Sequence, residues 1–120
     1  MYLSSVYNSD MSQRPLQEPT FLILTALAAG PQHGYGIMTD VEEISEGRLR
    51  LRAGTLYAAL DRLTGDGLVA EDREEIVAGR LRRYYRLTPD GTAVLAAETK
   101  RLRSNAAVAA RRLRLAGGPA

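Results

Sequence analysis

The stretch that decides the fold spans residues 54–88 and reads GTLYAALDRLTGDGLVAEDREEIVAGRLRRYYRLT. In its first part, Leu56, Leu60 and Leu63 recur at spacings of four and three, which predicts a helix over residues 54–66 with one apolar face. The other face of this helix carries short and polar side chains and is left open to a partner. This open face consists of Thr55, Ala58 and Arg62, flanked by Tyr57 and Asp61.

Two strand-like segments follow this helix. Residues 68–73 and residues 80–87 enclose a turn that contains Gly79, which predicts a β-hairpin. Side chains alternate between the two faces of a strand, so the second strand is expected to turn an arginine-rich side outward. That side holds Arg80, Arg82, Tyr84 and Arg86, and the opposite side holds Leu81, Arg83, Tyr85 and Leu87.

Two helices are predicted before this stretch. Pro19 and Thr20 open a core helix over residues 21–29, and Gly30-Pro31 ends it. A second helix is predicted over residues 34–45. The segment Arg48–Arg52 (RLRLR) then alternates strictly, which predicts a short strand. The apolar side of the second helix is expected to hold Tyr35, Ile37, Met38, Val41 and Ile44.

A long helix is predicted after the hairpin, over residues 89–115. Thr88, Pro89 and Asp90 combine an N-cap hydroxyl, a proline in the first turn and an acid near the positive end of the dipole. The helix would extend about 40 Å, farther than so small a domain can cover, which predicts pairing with a second copy about a twofold axis. The predicted seam has a period of 3.5 residues and consists of Leu95, Thr99, Leu102, Ala106, Ala109 and Leu113.

The charge is unevenly distributed, although the net charge is only +2. Residues 1–47 carry one cation against six acids, whereas residues 48–86 carry nine arginines against six acids. Fifteen of the 16 cations are arginine, whose planar fork binds phosphate and guanine edges in a bidentate manner. A GC-rich genome also favours arginine codons, which explains much of this ratio but not the clustering. The clusters are typical of a surface that binds a polyanion.

Several function classes are disfavoured. With no cysteine, the chain has no disulfide, thiolate metal site or cysteine nucleophile. His33 is the only histidine and lies in a Gly-Pro-rich turn, where a structural role is the simplest interpretation. The segment Gly34-Tyr35-Gly36 lacks the third glycine and the preceding strand of a nucleotide-binding loop. We expect no enzyme activity, no cofactor and no metal site.

The chain is expected to be cytoplasmic and to have no membrane partner. Its longest apolar run, residues 21–29, is too short to cross a bilayer, and residues 1–18 show no secretory signal. The predicted organisation is a flexible arm over residues 1–18, one domain over residues 19–88, a helix over residues 89–116 and a tail over residues 117–120. The fold class is α+β, mainly α.

The order helix, helix, short strand, helix, hairpin is that of a winged helix-turn-helix. Four segments also resemble, in order, the PadR family of bacterial transcriptional regulators, and the similarity extends over about residues 19–103. The segments are GPQHGYGI (residues 30–37), GTLYAALDRL (54–63), DGLV (66–69) and GRLRRYYRLT (79–88).

This resemblance implies a winged-helix domain that binds double-stranded DNA and a homodimer held by the C-terminal helix. It also implies repression that a small effector relieves, with the effector unidentified. The single C-terminal helix resembles the smaller subfamily. The residues that the resemblance places at or near DNA are Thr55 and Tyr57 in the third helix and Arg80, Arg82 and Arg83 in the wing.

The sequence alone leaves two roles open for several of these side chains. Ala58 shares the open face of the third helix, and Arg62 either reaches a phosphate or pairs with Asp66. Tyr57 either contacts DNA or packs against the first helix, and the wing arginines either bind phosphate or form a solvated strand. The alternative function is a winged-helix protein-interaction module that does not bind DNA directly.

Overall fold

The computed structural model of the chain describes residues 14–117. Its elements form a mainly helical winged helix-turn-helix with a long C-terminal helix, which confirms the predicted fold class. In chain order they are α1 (Glu18–Ala28), β1 (Gln32–His33), α2 (Gly34–Ile44), α3 (Ala53–Gly65), β2 (Val69–Val77), β3 (Arg80–Leu87) and α4 (Pro89–Leu115).

The leucine stripe of α3 lies at the centre of the core. Leu56, Leu60 and Leu63 are all buried, as the spacing predicts. They belong to one cluster with buried residues of α1 and α2, because each of these helices also presents an apolar side to the interior. The main contributors from the two other helices are Ile23, Leu24 and Leu27 of α1 and Ile37 and Val41 of α2.

The sheet has the order β1-β3-β2, and both pairings are antiparallel. Strand β1 has only two residues, and Gln32 and His33 lie opposite Tyr85 and Tyr84. Tyr85 is buried at this junction. The start of α2, which follows β1 directly, is therefore fixed to the wing.

The hairpin of β2 and β3 is longer than predicted, because β2 continues to Val77. Ala78 and Gly79 form its two-residue turn with φ values of 52° and 77°, as the tight turns that match strand twist require. The strand pairing is irregular between Glu71 and Arg73, where one extra residue bulges out. The hairpin thus projects beyond the core, and Leu81, predicted to point inward, is 61% exposed.

The predicted strand at Arg48–Arg52 is wrong, since this segment is a loop. Its alternation arises because Leu49 and Leu51 pack against the core while the arginines face outward. The Ser45 hydroxyl, which accepts from the Leu49 amide at 3.0 Å, holds the loop in place.

Two other predictions need correction in the first two helices. Tyr35 is 71% exposed and does not belong to the core side of α2. The first helix begins at Glu18, earlier than the predicted residue 21, and Pro19 occupies its first turn. A proline is well accommodated there because its missing N–H has no partner within the helix.

Helix α4 has the predicted bounds and the predicted cap. The Thr88 hydroxyl accepts from the Gly91 amide at 3.0 Å and donates to the Gly67 carbonyl at 2.7 Å. Of the predicted seam, Leu95 and Thr99 are half-buried, and the positions from Leu102 onward lie largely in solvent. Within residues 14–117, no helix combines the length and apolar character that a bilayer crossing needs.

The segment before α1 contacts α4. The backbone amide of Leu16 donates to the buried carboxylate of Glu98 at 3.1 Å, and Arg101 donates to the same carboxylate. The Arg101 guanidinium and the Leu16 amide lower the pKa of Glu98, against the opposing effect of burial. Of the predicted arm, residues 1–13 lie outside the described residues, as do residues 118–120 of the predicted tail.

Gly91 provides the first test of this packing. A Cβ at this position would overlap the carbonyl oxygen of Leu68, which already accepts from the Thr88 amide. We expect Gly91→Ala to lower the free energy of unfolding by about 2–4 kcal/mol in urea denaturation. The matched control is Gly65→Ala, where a Cβ meets nothing within 4 Å and stability should change by at most about 1 kcal/mol. Equal stability of the two variants would contradict the packing.

Candidate nucleic-acid interface

The open face of α3 is exposed at its N-terminal end, where Thr55 and Ala58 face solvent. Tyr57 is 44% exposed, and its ring lies over Gly34 at the start of α2, where a Cβ would overlap the tyrosine hydroxyl. Tyr57 thus packs against the start of α2, a contact that neither alternative from the sequence anticipated. The first turns of α2 and α3 meet at this ring.

Arg62 lies farther along α3 and points toward α1. Its Nη2 donates to the Thr20 hydroxyl at 3.0 Å. This contact links α3 to the first turn of α1 and is neither the phosphate contact nor the Asp66 pair that the sequence suggested. A DNA contact of Arg62 stays a prediction.

The outer side of the wing is organised around Tyr84. The Arg73 guanidinium lies 3.9 Å from the centroid of the Tyr84 ring, within the range of a cation–π interaction. His33 contacts the same ring edge-on, with 5.4 Å between centroids. Hydrogen bonds from Tyr84 and Arg73 lower the pKa of Glu75. Simple alternation along β2 would place Arg73 on the opposite side, but the bulge at residues 71–73 brings it opposite Tyr84.

Arg80 and Arg82 share this outer side of β3 with Tyr84. Within residues 14–117, neither of these arginines has a carboxylate within 4 Å. The pKa of His33 is lowered, first by burial and then by the charge of Arg82, against a smaller opposing effect of Glu75. Arg82 therefore acts electrostatically on the junction of β1 and α2.

Arg83 points to the opposite side of the hairpin. Its guanidinium lies 3.1 Å from the Glu74 carboxylate and 3.8 Å from that of Glu71, both on β2. The structure thus brings Arg80 and Arg82 together and separates Arg83 from them. The alternation of β3 predicts this separation, because Arg83 lies on the same side of the strand as Tyr85, which is buried.

A cleft of about 840 Å³ lies between the segment before α1, the helices α1 and α3, and the start of α4. Its floor is apolar, with Ile23, Leu63 and Val94, and its polar lining includes Thr55 and Arg62 of α3. Within residues 14–117, no group of three or more metal-ligating side chains occurs.

The helices, the three-stranded sheet and the projecting hairpin define a winged helix-turn-helix protein. The model of the transcriptional regulator PadR-like family matches residues 23–97, which is more than half of the chain. The chain therefore belongs to the PadR-like family of transcriptional regulators.

Individual relatives agree with this assignment. The chain is 43% identical over 61 residues to the transcriptional regulator Rv3488 of Mycobacterium tuberculosis; the match covers 51% of this chain and 56% of the relative. A PadR family transcription regulator from Clostridium difficile is 25% identical in structural alignment, with a TM-score of 0.67, over 81% of this chain and 99% of that one. Bacillus subtilis PadR, solved in complex with operator DNA, is 26% identical with a TM-score of 0.57. The match covers 64% of this chain and 44% of that one.

The effect of Arg82 on the pKa of His33 tests whether Arg82 and Arg83 lie on opposite sides of the hairpin. His33 is the only histidine, so its titration is readily followed by NMR. We expect a midpoint below the ordinary value of 6.5, because burial and Arg82 disfavour the protonated ring. Arg82→Gln should raise this midpoint. The control Arg83→Gln should leave it nearly unchanged, because Arg83 lies on the other side of the hairpin. An equal rise in both variants would contradict the assignment of the sides.

Proposed function

We propose that this chain is a sequence-specific DNA-binding transcriptional regulator that acts as a homodimeric, ligand-responsive repressor on an inverted repeat. One observation carries the proposal: the start of α3 and the outer side of the wing form one continuous surface. Tyr57 of α3 lies over Gly34, and the neighbouring His33 contacts Tyr84, which shares its side of β3 with Arg82. The complex of Bacillus subtilis PadR with operator DNA supports a DNA partner for this surface.

In this proposal, α3 enters the major groove by its N-terminal end. Thr55 and Tyr57 supply hydroxyl groups there, and Ala58 has a methyl group suited to contact with thymine. Arg80 and Arg82 bind the flanking phosphates, because neither guanidinium group has a carboxylate of the wing within 4 Å. Arg83 acts indirectly, since its ion pairs with Glu71 and Glu74 hold the two strands together.

The homodimer is proposed from the exposed seam of α4. The six seam positions are symmetric about residue 104: Leu95 pairs with Leu113, Thr99 with Ala109, and Leu102 with Ala106. Such a pattern fits two antiparallel helices about a twofold axis, in which each residue of a pair meets the other across the interface.

Charge also favours the antiparallel arrangement. After Glu98 the chain carries six cations and no acid. A parallel pair would place both basic halves of α4 at the same end of the dimer, where they would repel each other. An antiparallel pair centred on residue 104 places the two C-terminal clusters of Arg111, Arg112 and Arg114 at opposite ends of the dimer. The two α3 helices would then read half-sites about one helical turn of DNA apart.

Ligand response is proposed through the cleft beside α3. Thr55, Ala58 and Arg62 line it together with the segment before α1 and with Val94 of α4. A ligand that binds there would contact both the recognition helix and the dimer helix. If the ligand binds better when the two α3 helices are wrongly spaced, it lowers DNA affinity by shifting the population of dimers.

The salt dependence of binding tests the phosphate contacts. On a duplex selected by the wild-type protein from a random library, the logarithm of the affinity should fall with the logarithm of the salt concentration, with a slope near −7 to −9 for about eight to ten neutralised phosphates. Arg82→Gln should make this slope shallower by about 2 per dimer, because each subunit loses one phosphate contact. Arg83→Gln should change it much less. A weak, salt-independent affinity of the wild type would refute DNA binding.

Cysteine cross-linking tests the dimer seam, because the chain has no native cysteine. The double variant Thr99→Cys/Ala109→Cys should form a covalent dimer on oxidation, since these positions face each other in the antiparallel register. The two single variants should not. Dimers of either single variant would indicate a parallel pair, and a monomeric mass in ultracentrifugation would refute the dimer.

A further inference from the structure

The junction between the wing and the helices is small and includes the single histidine. Strand β1 contributes only two residues, and the second of them, His33, lies opposite Tyr84 of β3. The His33 ring contacts the Tyr84 ring edge-on. Its Cε1 and Nδ1 atoms lie 3.3 and 3.5 Å from the position that a Cβ at Gly36 would occupy. The ring therefore lies between β3 and the first turn of α2.

The charges that act on His33 are mostly positive. From β3 it is Arg82 that acts on the ring, and from β2 the Arg73 guanidinium lies 3.9 Å from the centroid of the Tyr84 ring. Helix α2 adds the positive end of its dipole, because His33 is its N-cap and its first turn holds no acid. Among residues 14–117, Glu75 of β2 acts in the opposite direction. Its carboxylate is already engaged by hydrogen bonds from Tyr84 and Arg73.

A neutral imidazole fits this environment, and an imidazolium does not. Helix α3 faces the junction with the phenol of Tyr57, which lies over Gly34 and offers no counter-charge. A proton on His33 would add a second cation beside the Tyr84 ring, close to Arg82 and to the positive end of α2. Burial and Arg82 accordingly lower the pKa of His33.

We propose that His33 is an acid-sensitive switch that attaches the wing to the helices only while its ring is neutral. Protonation pushes the start of α2 away from Tyr84 and Arg82, and the two-residue pairing of β1 with β3 opens. The hairpin itself persists, because the pairing of β2 with β3 does not involve His33. The core of the three helices persists as well, since the leucine stripe of α3 lies outside this junction.

The pH range of the switch follows from the chemistry of histidine. The chain has one histidine and no cysteine, so no other side chain has an ordinary pKa between 5 and 8. Because the pKa of His33 is lowered, the closed junction binds a proton less readily than the open one. The junction is therefore stable above the ordinary value of 6.5 and loses stability as the pH falls below it, towards the pKa of the docked ring. The switch requires no DNA and does not depend on the proposed function.

Amide hydrogen exchange followed by NMR tests the switch, with each rate corrected for the intrinsic effect of pH. Between about pH 7.5 and about pH 5.0, the protected amides of the β1–β3 pairing should lose protection at least about threefold. These amides belong to Gln32, His33, Tyr84 and Tyr85. The amide of Leu60 in the core should keep its protection. The variant His33→Phe keeps an aromatic edge against Tyr84 and binds no proton, so its protection should not change.

A second variant keeps the test valid if phenylalanine disturbs the fold. Arg82→Gln removes a cation beside His33 and should weaken the acid effect, whereas the control Arg83→Gln, on the other side of the hairpin, should retain it in full. Unchanged protection in the wild type, or an equal loss in His33→Phe, overturns the inference. A loss of the same size at Leu60 would indicate general acid unfolding and also overturns it. So does a His33 midpoint above 6.5, because protonation would then strengthen the junction.

Discussion

Burial of the leucine stripe on α3 is the interaction on which the rest of the structure depends. Leu56, Leu60 and Leu63 are removed from water among residues of α1 and α2, and each such burial stabilises the fold by about 1.5–3 kcal/mol. Because one side of α3 is held inward, the other side must face outward. The orientation of Thr55, Tyr57 and the rest of the open face thus follows from packing and requires no DNA.

The second constraint is the short pairing of β1 with β3. Only two residues of β1 take part, yet they attach the start of α2 to the wing through His33 and Tyr84. Tyr57 of α3 packs against the same junction, because its ring lies over Gly34. The helix proposed to read bases and the strand proposed to hold phosphates are therefore parts of one continuous surface. Among the arginines of the wing, Arg80 and Arg82 are the two that make no ion pair with its carboxylates.

The sequence predicts the features that rest on a repeated local pattern. The spacing of leucines in α3, the cap of α4 at Thr88 and the alternation of β3 all appear in the structure. Strand β1 could not be predicted, because a strand of two residues has no periodicity. The segment Arg48–Arg52 was wrongly predicted as a strand, because a loop that turns its leucines inward gives the same alternation. Contacts between distant residues, such as Arg62 with Thr20 and Arg83 with Glu74, depend on the packing of whole elements. Alternation along β3 places Arg83 on the side opposite Arg80 and Arg82, but it does not show that Arg83 pairs with Glu71 and Glu74.

The central claim is that α3 and the outer side of the wing contact DNA together, in two copies related by a twofold axis. Hydroxyl-radical footprinting on a selected duplex tests it most directly, because it maps the protected sugars on both strands. The account predicts two symmetric protected regions about one helical turn apart, each extended on its flank where the wing contacts the DNA backbone. Protection of a single region, or uniform protection along the duplex, would contradict it.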